Sequence, residues 1–248
     1  MSFKDHFSTQ AATYARARPT YPSALFAELA RLAPGRALAW DCGAGNGQAA
    51  VGLAEHFERV VATEPSAAQL AAAAAHPRVV YQQSAETVSG VADGAVDLVT
   101  AAQAAHWFNR PAFYAEVQRV LRPGGVVALV SYGFCAITPG VDALVQVFYS
   151  ETLGPYWPPE RVLVETGYRD FDFPFAEFAF PAIAMEHAWA LDEFADYLRS
   201  WSAVARYRQA RGSDPVAPLR ERLATVWGDA GQKRRIVWPL AGRIGRRM

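Results

Sequence analysis

Hydrophobic and polar positions follow two alternating rhythms through the first half of this chain. Short, nearly unbroken apolar runs at 36–40 (RALAW), 59–64 (RVVATE), 78–82 (RVVYQ), 95–102 (AVDLVTAA) and 124–132 (GGVVALVSY) read as strands buried on both faces. Helical spacing fills the gaps. Residues 47–57 form one such stretch. Ser66 opens another, with Gln69 three residues on as a capping box ahead of an alanine tract. Asn109 and Pro111 open a third, with Phe113, Val117, Val120 and Leu121 on one face. The turn LRPGG leads into the fifth strand. Strand and helix in this alternation predict a parallel sheet with helices on both faces.

After residue 140 the rhythm changes and aromatic residues crowd in: Phe148, Tyr149, Tyr156, Trp157, Tyr168, then FDFPFAEFAFP at 171–181. Alternation within that last segment predicts strand. Leu191, Phe194, Ala195, Leu198 and Trp201 follow helical spacing. Asp214-Pro215 starts a helix carrying Leu219, Leu223, Val226 and Trp227, and RRIVWPLAGRI (234–244) reads as a final strand. No shift in composition marks a domain boundary.

Composition narrows the function classes. A hydrophobic share of 52% supports a large core rather than disorder. Formal net charge is zero, which argues against nucleic acid or an acidic membrane as the partner. Lys4 and Lys233 are the only lysines, so an anion clamp here is an arginine. The two cysteines suggest neither a disulfide framework nor a metal site, and no metal is expected. The opening residues lack the layout of a signal peptide and no run is long enough to span a membrane, so a cytoplasmic protein is expected.

The candidate chemistry begins at residues 39–48, AWDCGAGNGQ. A glycine loop joining a first strand to a first helix aims backbone N–H groups at a ligand. The dinucleotide pattern G-x-G-x-x-G is not met, because Gln48 stands where its third glycine belongs; the fit is G-x-G-x-G after Asp41. Nineteen residues beyond Gly45 the second strand ends in Glu64, an acid suited to both ribose hydroxyls of an adenosine. Ser84, Ala85 and Glu86 follow the third strand, where they can meet an adenine edge. Cys42 has no base near it in sequence and reads as structural.

The acid-x-G-x-G-x-G loop, the acid ending strand two, SAE, DLVTAAQAAHWF and LRPGG occur in the order and spacing of the class I S-adenosylmethionine-dependent methyltransferases. The chain resembles that family over essentially its whole length. FSTQAATYARARPTYP, AAHWF, WSAVARYRQARGSDP and WPLAGRIGR further resemble a small-molecule, type 11 subgroup that includes trans-aconitate methyltransferase-like enzymes. The resemblance implies an α/β, Rossmann-like, seven-stranded sheet in the order 3-2-1-4-5-7-6, strand seven antiparallel, with helices on both faces and a helical and aromatic lid. It implies one domain: lid helices in 1–35, a cofactor-binding core in 36–132, and substrate-side insertions with the last two strands in 133–248.

The same resemblance assigns parts. Asp41 and the loop of Gly43, Ala44, Gly45 and Gly47 face the methionine moiety of S-adenosylmethionine. Glu64, with Pro65 after it, meets the ribose; Ser84, Ala85 and Glu86 meet the adenine; Gln103 lies near the sulfonium. Phe7, Ala11, Tyr14 and Arg18 share one helical face before Pro19, so Tyr14 and Arg18 are expected to reach the cofactor carboxylate or an acidic substrate from a lid. Two departures stand out. Glu64 replaces the aspartate of many members, and Pro239 falls in a strand paired on both sides, so a bulge or strand end is expected there.

Methyl transfer from a sulfonium needs mainly proximity and alignment. A carboxylate acceptor needs no base and would be held by Arg18, Arg206 or Tyr21; a hydroxyl or phenol would call on His106, with Trp107 beside it. The expected product is S-adenosylhomocysteine, the partner a small-molecule acceptor, and the state a monomer or homodimer. A larger acceptor (a quinone precursor or RNA) and a nucleoside- or NAD-binding protein without this chemistry are the alternatives.

Overall fold

The computed structural model describes residues 18–248. The strands are β1 (Leu38–Cys42), β2 (Arg59–Glu64), β3 (Val79–Gln83), β4 (Val96–Ala102), β5 (Leu121–Tyr132), β6 (Ala176–Phe178), β7 (Ala184–Trp189) and β8 (Arg234–Arg246). They form one open sheet in the order β3-β2-β1-β4-β5-β8-β6, with β7 also paired to β8. β1 to β5 are mutually parallel and β8 is antiparallel to its neighbours, the Rossmann-like methyltransferase order.

The strands are buried on both faces, as their apolar runs require. Trp40, Val61, Val99 and Val127 face one side, while Ala39, Val60, Leu98 and Val126 face the other. Helices α1 (Ser23–Leu32), α2 (Gln48–Ala54), α5 (Pro139–Val147), α7 (Leu191–Arg199) and α9 (Val216–Trp227) pack on the second side, and α4 (Arg110–Val120) and α6 (Arg161–Glu165) on the first. Two further helices are α3 (Ala67–Ala71) and α8 (Ser202–Arg211). Ser66 caps α3 as expected, its Oγ accepting the Gln69 N–H at 3.3 Å, but the helix stops within the alanine tract.

Four local expectations are corrected. LRPGG is not a turn ahead of β5 but its first part. Val96 pairs with Leu121 and Leu98 with Val126, so the intervening residues of β5 bulge from the ladder, with Gly124 at φ +74°. Leu121 therefore belongs to the strand, not the helix face. The aromatic alternation at 171–181 yields only the three-residue β6, and Val226 is exposed while Leu219, Leu223 and Trp227 are buried.

β6 and β7 are one edge strand in two pieces, both running along β8. Between the pairs Phe178–Ile244 and Ala184–Pro239 the edge advances one residue more than β8 does, which marks a bulge. Pro239 stands inside β8 beside this break. The Leu240 N–H donates to Ile183 on the edge side, so the Pro239 nitrogen faces β5. There the chain leaves the ladder between the Tyr132–Leu240 pair and the Ala136–Val237 bridge, and no hydrogen bond is lost.

Candidate active site

The carboxyl ends of β1, β2, β4 and β5 bring Asp41, Glu64, Gln103 and Tyr132 to one edge of the sheet. The loop after β1 turns sharply, with Gly43, Gly45 and Gly47 at φ +70°, +56° and +83°. All three favour glycine on that ground, but their surroundings differ. A Cβ on Gly43 would lie 2.6 Å from Ala104 Cβ, and one on Gly47 would lie 2.1 Å from the Tyr81 hydroxyl. At Gly45 it would meet nothing closer than Gln69 Oε1 at 4.0 Å. Gly43 and Gly47 admit protein neighbours; Gly45 leaves open space.

The loop amides turn inward more than the glycine pattern suggests. Gly43 and Ala44 N–H donate to the Thr63 carbonyl at 2.8 and 3.0 Å, and Gly47 N–H to the Ala44 carbonyl at 2.9 Å. Gly45 N–H donates to Glu64 Oε2 and Ser66 N–H to Glu64 Oε1, both at 3.0 Å. Glu64 thus clamps loop and strand end, and is itself nearly buried. Asp41 Oδ1 accepts from Thr100 Oγ1 at 2.7 Å, while its buried Oδ2 has no hydrogen-bond partner among the described residues. Burial pushes the Asp41 carboxyl up to about 6 against the Thr100 hydrogen bond and the nearby Ala50 N–H at the start of α2. Cys42 is buried, which pushes its thiol far up and leaves it inert.

Around the residues expected at an adenine, Ser84 Oγ donates to the Val88 carbonyl at 2.6 Å, and Glu86 Oε1 accepts the Asn109 N–H at 2.9 Å, at the start of α4. Ala85 is exposed between them, and the Pro65 carbonyl accepts from Gln83 Nε2. Gln103 adopts φ +54°, unusual for a side-chain-bearing residue, and its Nε2 donates to the Tyr132 carbonyl at 2.8 Å. Gln48, the residue in place of a third glycine, donates to the Pro19 carbonyl and accepts the Tyr21 N–H at 3.2 and 3.3 Å. It ties the approach to α1 onto the glycine loop, a role the sequence pattern did not suggest.

Beside Gln103 opens a cleft of about 600 Å³, solvent at its mouth included. His106, Trp107, Tyr132, Trp157, Tyr197 and Trp201 contribute rings to its lining; Arg18 and Arg161 contribute charge, and no acidic residue lines it among the described residues. Arg18 donates to the Tyr132 hydroxyl and the Ser200 carbonyl at 3.3 and 3.2 Å. His106 Nδ1 lies 3.2 Å from the Tyr168 hydroxyl. Desolvation, joined by the Arg161 charge, pushes this histidine down to about 3, so it is neutral near pH 7. Tyr21 packs edge-on against Tyr132 and Phe26 instead of lining the cleft, and Arg206, on α8, does not line it either. Tyr14 and the expected lid helix lie outside the described residues.

Arg161 was missed in the sequence. Its only local signal was an arginine after Pro158-Pro159 within the aromatic segment.

The chain is similar to known proteins. Residues 40–129 match a family described as methyltransferase domain. A candidate methyltransferase of Dictyostelium discoideum is 37% identical over 229 residues, 91% of this chain and 87% of that one. The chain belongs to the class I S-adenosylmethionine-dependent methyltransferases. A solved structure of a candidate type II methyltransferase from Anaeromyxobacter dehalogenans superposes on this methyltransferase with a TM-score of 0.88 at 47% identity, covering 93% of this chain and 98% of the other. An uncharacterised methyltransferase of Mycobacterium tuberculosis is 38% identical over 125 residues, 50% of this chain and 51% of that one. No helix among the described residues is long and apolar enough to cross a membrane.

Proposed function

We propose that this methyltransferase binds S-adenosylmethionine across the glycine loop and methylates a carboxylate oxygen of a small acidic molecule held in the aromatic cleft. The open space at Gly45 and the partnerless buried Oδ2 of Asp41 fit a cationic ligand laid against the loop. Glu64 would take the ribose, Ala85 and Glu86 the adenine edge, and Gln103 the neighbourhood of the reacting methyl group. When bound, the cofactor supplies an activated methyl group on a sulfonium. A carboxylate acceptor would need only to be held in line with that methyl group, and the chain's residues would have no proton to remove.

The observation that carries the choice of acceptor is the cleft's charge: among the described residues it is lined by Arg18 and Arg161 and by no acid, within aromatic walls. An acceptor already ionised at neutral pH needs binding, not deprotonation. His106 supports this reading, since a histidine held neutral down to about pH 3 is a weak base and a serviceable wall.

A methyl-transfer screen with labelled S-adenosylmethionine over carboxylic acids, phenols and quinones tests the reading. Base-labile methyl esters are the expected products. Transfer confined to phenols or quinones would overturn the choice of acceptor. Calorimetry with S-adenosylhomocysteine and NAD checks the cofactor: binding of the first and not the second is expected.

A further inference from the structure

The cleft's second arginine is held in an unusual way. Residues 148–152 form a short π-helical turn after α5, and Tyr149 comes from that turn with its ring buried. Arg161, on α6, donates its Nε–H to the Tyr149 hydroxyl at 2.9 Å. The hydroxyl in turn bonds the Glu165 carboxylate. Burial, the largest cause, pushes Tyr149 up to about 12, so it is a neutral relay between acid and base. Glu165 itself stays 3.7 Å from Arg161 Nε. The guanidinium carbon sits 5.0 Å from the Trp157 ring centre and 5.6 Å from that of Tyr149.

The consequence is a donor set left over. Arginine carries five N–H groups, and Arg161 spends one. Its two terminal NH2 groups have no hydrogen-bond partner among the described residues, although its side chain is only 22% exposed. Arg18, by contrast, already donates from both terminal nitrogens. A guanidinium held at Nε and open at its far fork matches a carboxylate in two-pronged geometry. Trp157 and Trp201, 5.5 Å apart between ring centres and tilted 51° to each other, stand beside it as apolar walls.

We propose that Arg161 is the anion anchor of the acceptor site, its terminal NH2 groups gripping a carboxylate of an acid whose apolar body lies against Trp157 and Trp201. Tyr149 is a positioning residue that fixes the fork, and Glu165 is the charge the ligand competes with. The inference rests on the reading of the chain as a methyltransferase of acids.

Benzoate and its neutral isostere benzamide are the probes, read by quenching of cleft tryptophan fluorescence in protein saturated with S-adenosylhomocysteine. Wild-type protein should show saturable quenching by benzoate, with benzamide weaker by about tenfold or more. Arg161→Gln should weaken benzoate by about tenfold or more, and Arg161→Lys by less, with S-adenosylhomocysteine affinity unchanged in calorimetry. Glu165→Gln keeps an acceptor for Tyr149 and removes the competing charge, so benzoate should bind about threefold more tightly. That opposite sign is not expected of a purely structural residue.

Absence of benzoate quenching, equal binding of benzamide, or undiminished benzoate binding by Arg161→Gln would each overturn the anchor. So would loss of S-adenosylhomocysteine binding in Arg161→Gln in step with benzoate. The wild-type comparison needs no variant and decides the matter if Arg161→Gln fails to fold. Failure of wild-type protein to bind S-adenosylhomocysteine would instead sink the proposed cofactor site, and benzoate titration without it would still test the anchor.

Discussion

The Glu64 carboxylate accepts the Gly45 N–H at 3.0 Å, so the acid that ends β2 and the glycine that opens space in the β1 loop are parts of one device. Its other oxygen takes the Ser66 N–H. Glu64→Ala therefore removes an acceptor from two amides as well as a candidate ribose partner. We expect cofactor affinity to fall by about 1–3 kcal/mol, measured by calorimetry with S-adenosylhomocysteine, and the thermal midpoint to fall with it. Unchanged affinity in a folded Glu64→Ala protein would remove Glu64 from the cofactor site.

The three loop glycines should separate under substitution. Gly45→Ala carries only the strain of a left-handed residue, about 1–3 kcal/mol, because its Cβ has room. Gly43→Ala and Gly47→Ala add collisions with Ala104 and Tyr81 and should cost more. Gly45→Val should remain folded by circular dichroism and lose S-adenosylhomocysteine binding. Intact binding by Gly45→Val would make the loop a simple turn.

Asp41 makes the ligand-free protein sensitive to pH. Its carboxyl is raised to about 6 in the folded state, against about 3.9 in an unfolded chain. Between those values the folded state holds the extra proton, so stability falls as pH rises through that window, by about 3 kcal/mol in all. Asp41→Asn should flatten the dependence and raise the midpoint at pH 8 by about 5 °C or more, with little difference near pH 4. Calorimetric scans of both proteins across this range check it; parallel curves would mean that Asp41 is not raised.

His106 should be dispensable as a base. Loss of a general base costs about 10²–10⁴ in rate. For His106→Ala we expect a fall in kcat of less than about tenfold, reflecting only lost packing beside Trp107. The rate on a carboxylate acceptor should be flat from about pH 7 to 9, above the Asp41 range, because a histidine pushed down to about 3 does not titrate there. A larger loss, rescued by an acceptor with a more acidic nucleophile, would restore the base.

Much of the framework was legible along the chain because its causes are local. Parallel strands buried on both faces must be apolar throughout, so β1 to β5 announce themselves as runs. A loop with three left-handed residues in five must carry glycine, and Glu64 follows at a distance set by one helix and one strand. Other features depend on partners far away in sequence. β7 reads poorly, with Glu186 and His187 in it, because its register comes from β8 rather than from its own alternation. Pro239 is tolerated in a doubly paired strand only because β5 steps away at that point. The cleft collects Arg18, His106, Tyr132, Arg161 and Tyr197 from five separate segments. Whether an arginine such as Arg161 is a solvated surface charge or a half-buried anchor depends on which rings and carboxylates fold around it. Sequence spacing determines the sheet and its glycine loop, while the three-dimensional meeting of Tyr149, Glu165 and Arg161 decides how that guanidinium is held.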